Sequence, residues 1–327
     1  MTISLQITLR QMWLDPRLRF EVDNDLIEYV TLDDSLFSGS AVGLWSPDIF
    51  FANEASGFVH SIMKPNSYKR VFPDGSVMWS TRLTSTFSCP MDLRYFPFDN
   101  QICTIRMESY SLSSRDLIVR WVNTNSVTFM DSKGPRFLKF DLTRHETGNC
   151  SLPTTTEFSC IFLSMFLQRQ PWVYISLVYM PTGLCVCLSW ISFYLGPAIS
   201  ARLSLTLTLL LTMATQIHGM SQNLPQVPYA KAIDTWTGFC LSFGALAILE
   251  TAVVAYSLQQ KQNQIGNLIP EKLINGRSSK ARKTLMLDKV SRVLFPVGFC
   301  LFGLAYVLIY IVGDNYPTVG GYEQKKD

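Results

Sequence analysis

The second half of the chain holds more unbroken apolar sequence than the core of a soluble domain can take up. Three runs, near residues 172–195, 233–258 and 293–312, each reach the roughly 20 residues that carry a helix across a bilayer. A further run near residues 201–222, "ARLSLTLTLLLTMATQIHGMSQ", is as long but less uniform. In hydrocarbon a backbone must satisfy its own hydrogen bonds, which confines runs of this length to helices. Residues 171–314 therefore read as a four-helix transmembrane bundle. Glu250, well inside the run 233–258, breaks the apolar pattern; a carboxylate at that depth must find a partner or face protein.

The run 201–222 departs from the others in a regular way. Ser204, Thr208, Leu211, Thr215 and His218 recur at steps of four, three, four and three, so a helix places them on one face. Such a stripe either lines water or packs against neighbouring helices, where small polar residues are common. The helix alone leaves the two readings level.

Orientation follows from basic residues. Residues 259–292 carry Lys261, Lys272, Arg277, Lys280, Arg282, Lys283, Lys289 and Arg292 against only Glu271 and Asp288, which places this loop in the cytoplasm. With four spans, residues 1–170 and the tail 315–327 then lie outside. The cysteines agree. Cys89, Cys103, Cys150 and Cys160 form an even set in the first half and read as two disulfides of an oxidising compartment, the alternative being four free thiols. Cys185, Cys187, Cys240 and Cys300 sit in apolar runs and read as inert small hydrophobes. The opening "MTISLQITLR" alternates like a strand and is no signal peptide, so a secreted first half implies a targeting segment upstream of this numbering.

Residues 1–170 alternate over short stretches such as "SVMWSTRLTSTFS" and "QICTIRMESY", separated by turn clusters such as Pro73-Asp74-Gly75. That pattern predicts an antiparallel β-sandwich. A net charge of +3 is too small to argue for nucleic acid. The three histidines (His60, His145, His218) are scattered, and no Cys/His group has metal-ligand spacing. No nucleophile and base pair up either, so the sequence offers no catalytic residue, metal or cofactor, and no enzyme.

Several motifs converge. Cys89 and Cys103 enclose "FPFD"; "WSPDIFFANE" spans Trp45–Glu54; Pro181 lies in the first apolar run; "TLLLTMATQ" (Thr208–Gln216) and "LPQVPYAKAID" (Leu224–Asp234) follow. With these the chain resembles, over nearly its whole length, the Cys-loop receptors, the pentameric ligand-gated ion channels. "LRQMWLDPRL", "CPMDLRYFPFD" and the second cysteine pair make it most similar to invertebrate glycine- and glutamate-gated chloride channel subunits.

The resemblance implies a multi-pass subunit of the plasma membrane. Its partners are identical or related subunits, membrane lipid, chloride and an extracellular small-molecule agonist, a carboxylate or an amphiphile. The Cys89–Cys103 loop is expected to dock Phe96, Pro97 and Phe98 on the linker Gln222–Ala232, which includes Pro225 and Lys231; the alternative is a disulfide that only staples the sandwich. Closing such a loop restricts the unfolded chain by roughly 3 kcal/mol. Agonist binds between subunits in this family. Phe50, Tyr110 and Phe158, with Glu108 beside Tyr110, match one face, and aromatic faces attract an ammonium group. Arg10, Ser80 and Thr155 match the other; a guanidinium suits a carboxylate because it donates two parallel hydrogen bonds. In the pore, Leu211 matches a girdle that can close by dewetting, above Ser204 and Thr208. Ala201 stands where cation-selective members carry glutamate, and helix N-termini at that mouth favour anions.

Departures accompany the match. "SLPTTTEFS" between Cys150 and Cys160 is one residue short, with Pro153 near where an aromatic is usual, so the box lacks a ring. The usual Pro-Ala-Arg becomes Ser200-Ala201-Arg202 with Pro197 upstream, and Ser221 and Gln222 replace a basic outer ring. "LRQMW" matches the family's second strand yet begins at residue 9. The helix, first strand and loop expected before it lie upstream of this numbering, or are lacking and leave gating weakly coupled. The expectation is a chloride channel; the competing one is a cation-permeable or non-conducting subunit that tethers a ligand-binding domain to the membrane.

Overall fold

The computed structural model describes residues 2–21, 28–33, 44–129, 139–150, 158–196, 198–222, 224, 227–266 and 273–312, with side chains outside 258–285. The chain divides into two units. The first comprises Met1–Met91, Ile102–Phe137 and Leu142–Leu167; the second comprises Asp92–Gln101, Leu138–Asp141 and Gln168–Asp327.

The first unit is built from two sheets. β1 (Thr2–Leu14), β2 (Val30–Asp33), β4 (Glu54–Val59), β5 (Ser67–Val71) and β6 (Ser76–Ser88) form one, in the order β1-β6-β5-β2 with β4 also on β6. β3 (Ile49–Phe51), β7 (Asn100–Ser109), β8 (Phe140–Asn149) and β9 (Cys160–Arg169) form the other, in the order β3-β7-β9-β8. The period-two pattern explains the faces. In β1, Ile3 is buried and Leu5, Ile7 and Leu9 partly so, while Thr8, Arg10 and Met12 stand out. Antiparallel pairing with β6 sets Arg10 opposite Ser80, and β5 sets Tyr68 opposite the same serine. A one-residue slip would turn Arg10 inward. The register of β5 on β6 follows from a tight turn whose Gly75 has φ +86°; a Cβ there would lie 2.7 Å from the Asp15 carbonyl oxygen. The sheets meet through apolar side chains, Phe51 against Phe87 with ring centres 5.2 Å apart.

The second unit contains four helical segments long and apolar enough to cross a membrane: Trp172–Tyr194, Ile199–Ser221, Ala232–Ser257 and Met286–Val312. The third helix runs on as Ala232–Gly266, and the fourth starts earlier, as Leu273–Val307. The first segment widens to a π-helical stretch, Ile175–Tyr179, just before Pro181, which lacks an N–H and crowds the preceding turn. Its neighbours pack around buried Cys185, Val186, Met213 and Cys240. Gly244 leaves room for the Met213 side chain, whose Cε would lie 2.8 Å from a Cβ at that position. Trp236 is the aromatic hub, donating to Thr182 Oγ1 at 3.0 Å and lying 5.4 Å from Tyr306.

Candidate functional site

The residues expected to contact ligand fall on the two sheets as two separate groups. On β3 and β7, Phe50 sits directly opposite Glu108, and the Phe50 ring meets Tyr110 edge-on at 5.6 Å. Tyr110 is 76% exposed, far more than a tyrosine needed for packing would be. Phe158, just before disulfide-bonded Cys160, is also exposed. The other group is the row Arg10, Ser80 and Tyr68 on three neighbouring strands, with Arg10 exposed and Ser80 buried. Among the described residues no hydrogen bond, ion pair or ring contact joins the two groups. Thr155 lies outside the described residues.

Asp48 fixes the Tyr110 side, and sequence reasoning missed it. Its Oδ2 accepts from the amide and hydroxyl of Ser111 (both 2.6 Å), its Oδ1 from the Ser109 hydroxyl (2.7 Å), and its carbonyl from the Tyr110 amide (3.1 Å). Asp48 thereby holds three residues in a row, Ser109 and Ser111 through its carboxylate and Tyr110 through its backbone carbonyl. The Ser111 hydroxyl is the main cause that lowers the Asp48 carboxyl to about 2; partial burial opposes it and the Ser109 hydroxyl assists. The signal in the sequence was the pair of hydroxyls flanking Tyr110 in "SYS", but their acceptor lies some sixty residues upstream.

Both disulfides, Cys89–Cys103 and Cys150–Cys160, are formed. The first closes the aromatic loop, whose stretch Asp92–Gln101 belongs to the second unit. Phe96 is 1% exposed and Pro97 is buried. The Phe96 ring packs on Tyr174 (4.7 Å), Phe98 on Tyr179 (5.8 Å) and Tyr95 on Tyr310 (6.2 Å). Backbone bonds continue the contact: the Ala232 amide donates to the Arg94 carbonyl (2.9 Å) and the Ile233 amide to the Phe96 carbonyl (3.1 Å). The two carbonyls thus accept from amides in the first turn of the third helix, which have no partner within that helix. Tyr229 accepts from the Leu93 amide at 3.0 Å. Lys231 makes local contacts instead, its amide 3.2 Å and its Nζ 3.5 Å from Oδ2 of Asp234 in the same segment. Pro225 lies outside the described residues. Beneath the loop, Arg169 donates to both Asp99 oxygens at 2.7 and 3.0 Å and is sandwiched by Phe96 and Phe140.

The second helix presents the stripe. Ala201, Ser204, Thr208, Leu211, Thr215 and His218 are all exposed in the single chain, whereas Arg202, Thr206 and Met213 are its buried residues. Thr208 and Thr215 bond back to carbonyls of the preceding turn, which leaves their methyl and hydroxyl surfaces outward. Arg202, one residue after Ala201, is turned away from the stripe. Its Nη2 reaches Glu250 Oε2 at 3.1 Å and Asp288 Oδ1 at 2.8 Å. Glu250 has therefore found its partner, and the basic side chain nearest Ala201 is spent on it.

Comparison with known proteins places these features in one family. Residues 1–171 match the model of the neurotransmitter-gated ion-channel ligand binding domain, and residues 178–275 match that of the neurotransmitter-gated ion-channel transmembrane region. Over 304 residues the chain is 38% identical to a glutamate-gated chloride channel of Drosophila melanogaster, an alignment covering 91% of this chain and 65% of that protein.

Proposed function

The chain belongs to the neurotransmitter-gated ion-channel family, and from that premise we propose that it is a subunit of a pentameric, plasma-membrane chloride channel opened by an extracellular carboxylate. The observation that carries anion selectivity is at the start of the second helix. Ala201 leaves the stripe without the acidic ring that would repel anions, and the N-terminal end of each helix brings partial positive charge to the same mouth. The selective charge is the helix end, not Arg202, which two carboxylates neutralise. Leu211 is the gate: five such side chains on an axis exclude water and with it ions.

The ligand reading rests on the two half-sites, which become one site where neighbouring subunits meet. Arg10 and Ser80 of one subunit take the carboxylate; Phe50, Tyr110 and Phe158 of the next enclose the ammonium group. Glutamate, the ligand named for the Drosophila relative, has both groups. The β-unit and the tail 315–327 lie outside the cell, and the loop 259–292 inside.

Currents recorded from the expressed chain during glutamate application test this. Reversal at the chloride potential is expected, and Ala201→Glu should move it toward cations. Arg10→Ala should weaken an acid agonist ten- to a hundredfold, as expected from about 1.5–3 kcal/mol for a charged hydrogen bond, while sparing its amide. A wild-type channel that reverses at a cation potential overturns the selectivity argument; equal losses for acid and amide remove Arg10 from the site.

A further inference from the structure

The tripeptide Asn149-Cys150-Ser151 has no part in the mechanism above. It has the form Asn-x-Ser with x other than proline, the acceptor pattern for N-linked sugar. No other asparagine of the chain has a serine or threonine two residues on. Asn149 ends β8, the outer strand of its sheet, and is exposed. Among the described residues its carboxamide makes no hydrogen bond, so the side-chain nitrogen is open to a substituent. Its two neighbours are fixed. The Gly148 carbonyl accepts from Trp121 Nε1 at 3.2 Å, and the Cys150 amide donates to the Cys160 carbonyl at 3.0 Å. A Cβ at Gly148 would meet the Phe162 ring at 2.8 Å, so position 148 has no room for bulk and position 149 does.

We infer that Asn149 is an N-glycosylation site whose occupancy is decided by competition with closure of the Cys150–Cys160 disulfide. The inference rests on the extracellular placement of the β-unit proposed above, and on nothing about conduction. In the sugar transfer, the Asn149 side-chain nitrogen bonds to the anomeric carbon of a lipid-linked oligosaccharide diphosphate. The bond from that carbon to the diphosphate breaks, the lipid diphosphate leaves, and the amide loses one proton. In the competing step the two thiols give up two protons and two electrons to an oxidoreductase in its disulfide form, which becomes a dithiol. The two reactions share one tripeptide, because x is Cys150. The transferring enzyme must take hold of Asn149 and Ser151 together. Once Cys150 is tied to Cys160, by the disulfide and by the backbone bond, β8 no longer releases them. Sugar on Asn149 leaves the Cys150 thiol free, so the disulfide can still follow. Order therefore fixes the product: sugar first gives both modifications, disulfide first gives the disulfide alone. The cysteines are separated by only 10 positions, so the interval is short and wild-type chains emerge as a mixture. The bulky, solubilising sugar covers the end of an edge strand, whose unpaired groups would otherwise invite a second chain.

The test expresses the full-length chain in animal cells and reads its mobility on denaturing gels, with and without an amidase that removes N-linked sugar. Wild type should run as two bands one glycan apart, collapsing to the lower on treatment, with deamidation found at Asn149. Asn149→Gln and Ser151→Ala should leave only the lower band. Cys160→Ser keeps the tripeptide and removes its competitor, so most of that chain should move to the upper band. The gel reads denatured protein, so the variant need not fold. A shift that survives Asn149→Gln, one unshifted band in both wild type and Cys160→Ser, or equal occupancy in those two overturns the proposal. Antibody to the β-unit on intact, unpermeabilised cells reports its placement separately. A channel that conducts with Asn149 bare refutes the sugar alone, and a silent glycoprotein refutes the channel reading alone.

Discussion

Arg169 and Arg202 are both sealed inside the second unit, at 4% and 0% exposure, yet they are held in opposite ways. Arg169 has one carboxylate, Asp99, gripped by two parallel bonds, and two aromatic faces for its flat sides. Gln101 then donates to the same Asp99, so the pair is neutral and well bonded. Arg202 has two carboxylates, Glu250 and Asp288, plus a longer contact to the Gly196 carbonyl at 3.4 Å. Its Nε and Glu250 Oε1 find no partner among the described residues. Burying a charge is costly unless it is matched and fully bonded. The first site meets both conditions, which suits a fixed joint beneath the aromatic loop. The second meets neither, and one of its carboxylates is in excess.

The contrast can be broken by substitution. Asp99→Ala strands the Arg169 guanidinium between two rings and should cost about 3–5 kcal/mol, enough to remove folded protein from the cell surface. The pair Asp99→Leu with Arg169→Met should recover much of it, since apolar isosteres avoid the desolvation cost. Surface labelling and thermal unfolding of the purified protein measure both. A double variant as damaged as Asp99→Ala would show that the bonds, not the charge balance, hold the joint.

At the second site removing one acid should be mild. Glu250→Gln or Asp288→Asn leaves Arg202 with one full partner and should shift stability by no more than about 1 kcal/mol, the scale of a single hydrogen bond. Arg202→Gln, which leaves two facing carboxylates, should be as severe as Asp99→Ala. Unfolding midpoints that rank Glu250→Gln beside Arg202→Gln would erase the difference between the two arginines.

Asp48 provides the smallest effect, because hydroxyls and an amide hold it and, among the described residues, no cation pairs with it. Its folded pKa is lowered from the ordinary 3.8 to about 2, so its contribution is present above 3.8 and disappears as pH falls through about 2. Asp48→Asn should therefore lack that acid-dependent component, and should weaken agonist a few-fold by loosening Tyr110. Acid titration of tryptophan fluorescence, compared between wild type and variant, checks the first part. Superimposable curves down to pH 2 would mean that the Ser109 and Ser111 bonds do not favour the ionised form.

The elements most legible in sequence were those written in a single period: the alternation of β1 and β6, the four apolar runs, and the stripe on the second helix. Motif resemblance pointed to the aromatic loop but set Phe96 and Phe98 on the linker 222–232, whereas their rings meet Tyr174 and Tyr179 of the first apolar segment. Long-range polar partners were not legible. Glu250 visibly needed a partner, but nothing local pointed to Arg202, 48 residues upstream. Asp48 and Arg169 were missed for the same reason, because a carboxylate in a loop and a cation at a strand end are commonplace until the fold brings Ser111 or Asp99 to them.

The pairing of β1 with β6 has a consequence for how the molecule is made. Among the described residues β1 pairs with β6, whose positions lie more than sixty residues downstream, from Leu14 opposite Ser76 to Thr2 opposite Ser88. At a synthesis rate of about 5–20 residues per second, the strand must wait on the order of several seconds for its mate to emerge. Meanwhile thirteen residues of alternating apolar sequence offer unpaired amides and carbonyls to any other nascent chain. Contacts this distant also zip late, since the connecting loop must close before they form. Arg10 and Ser80 thus reach each other only at the end of a slow search.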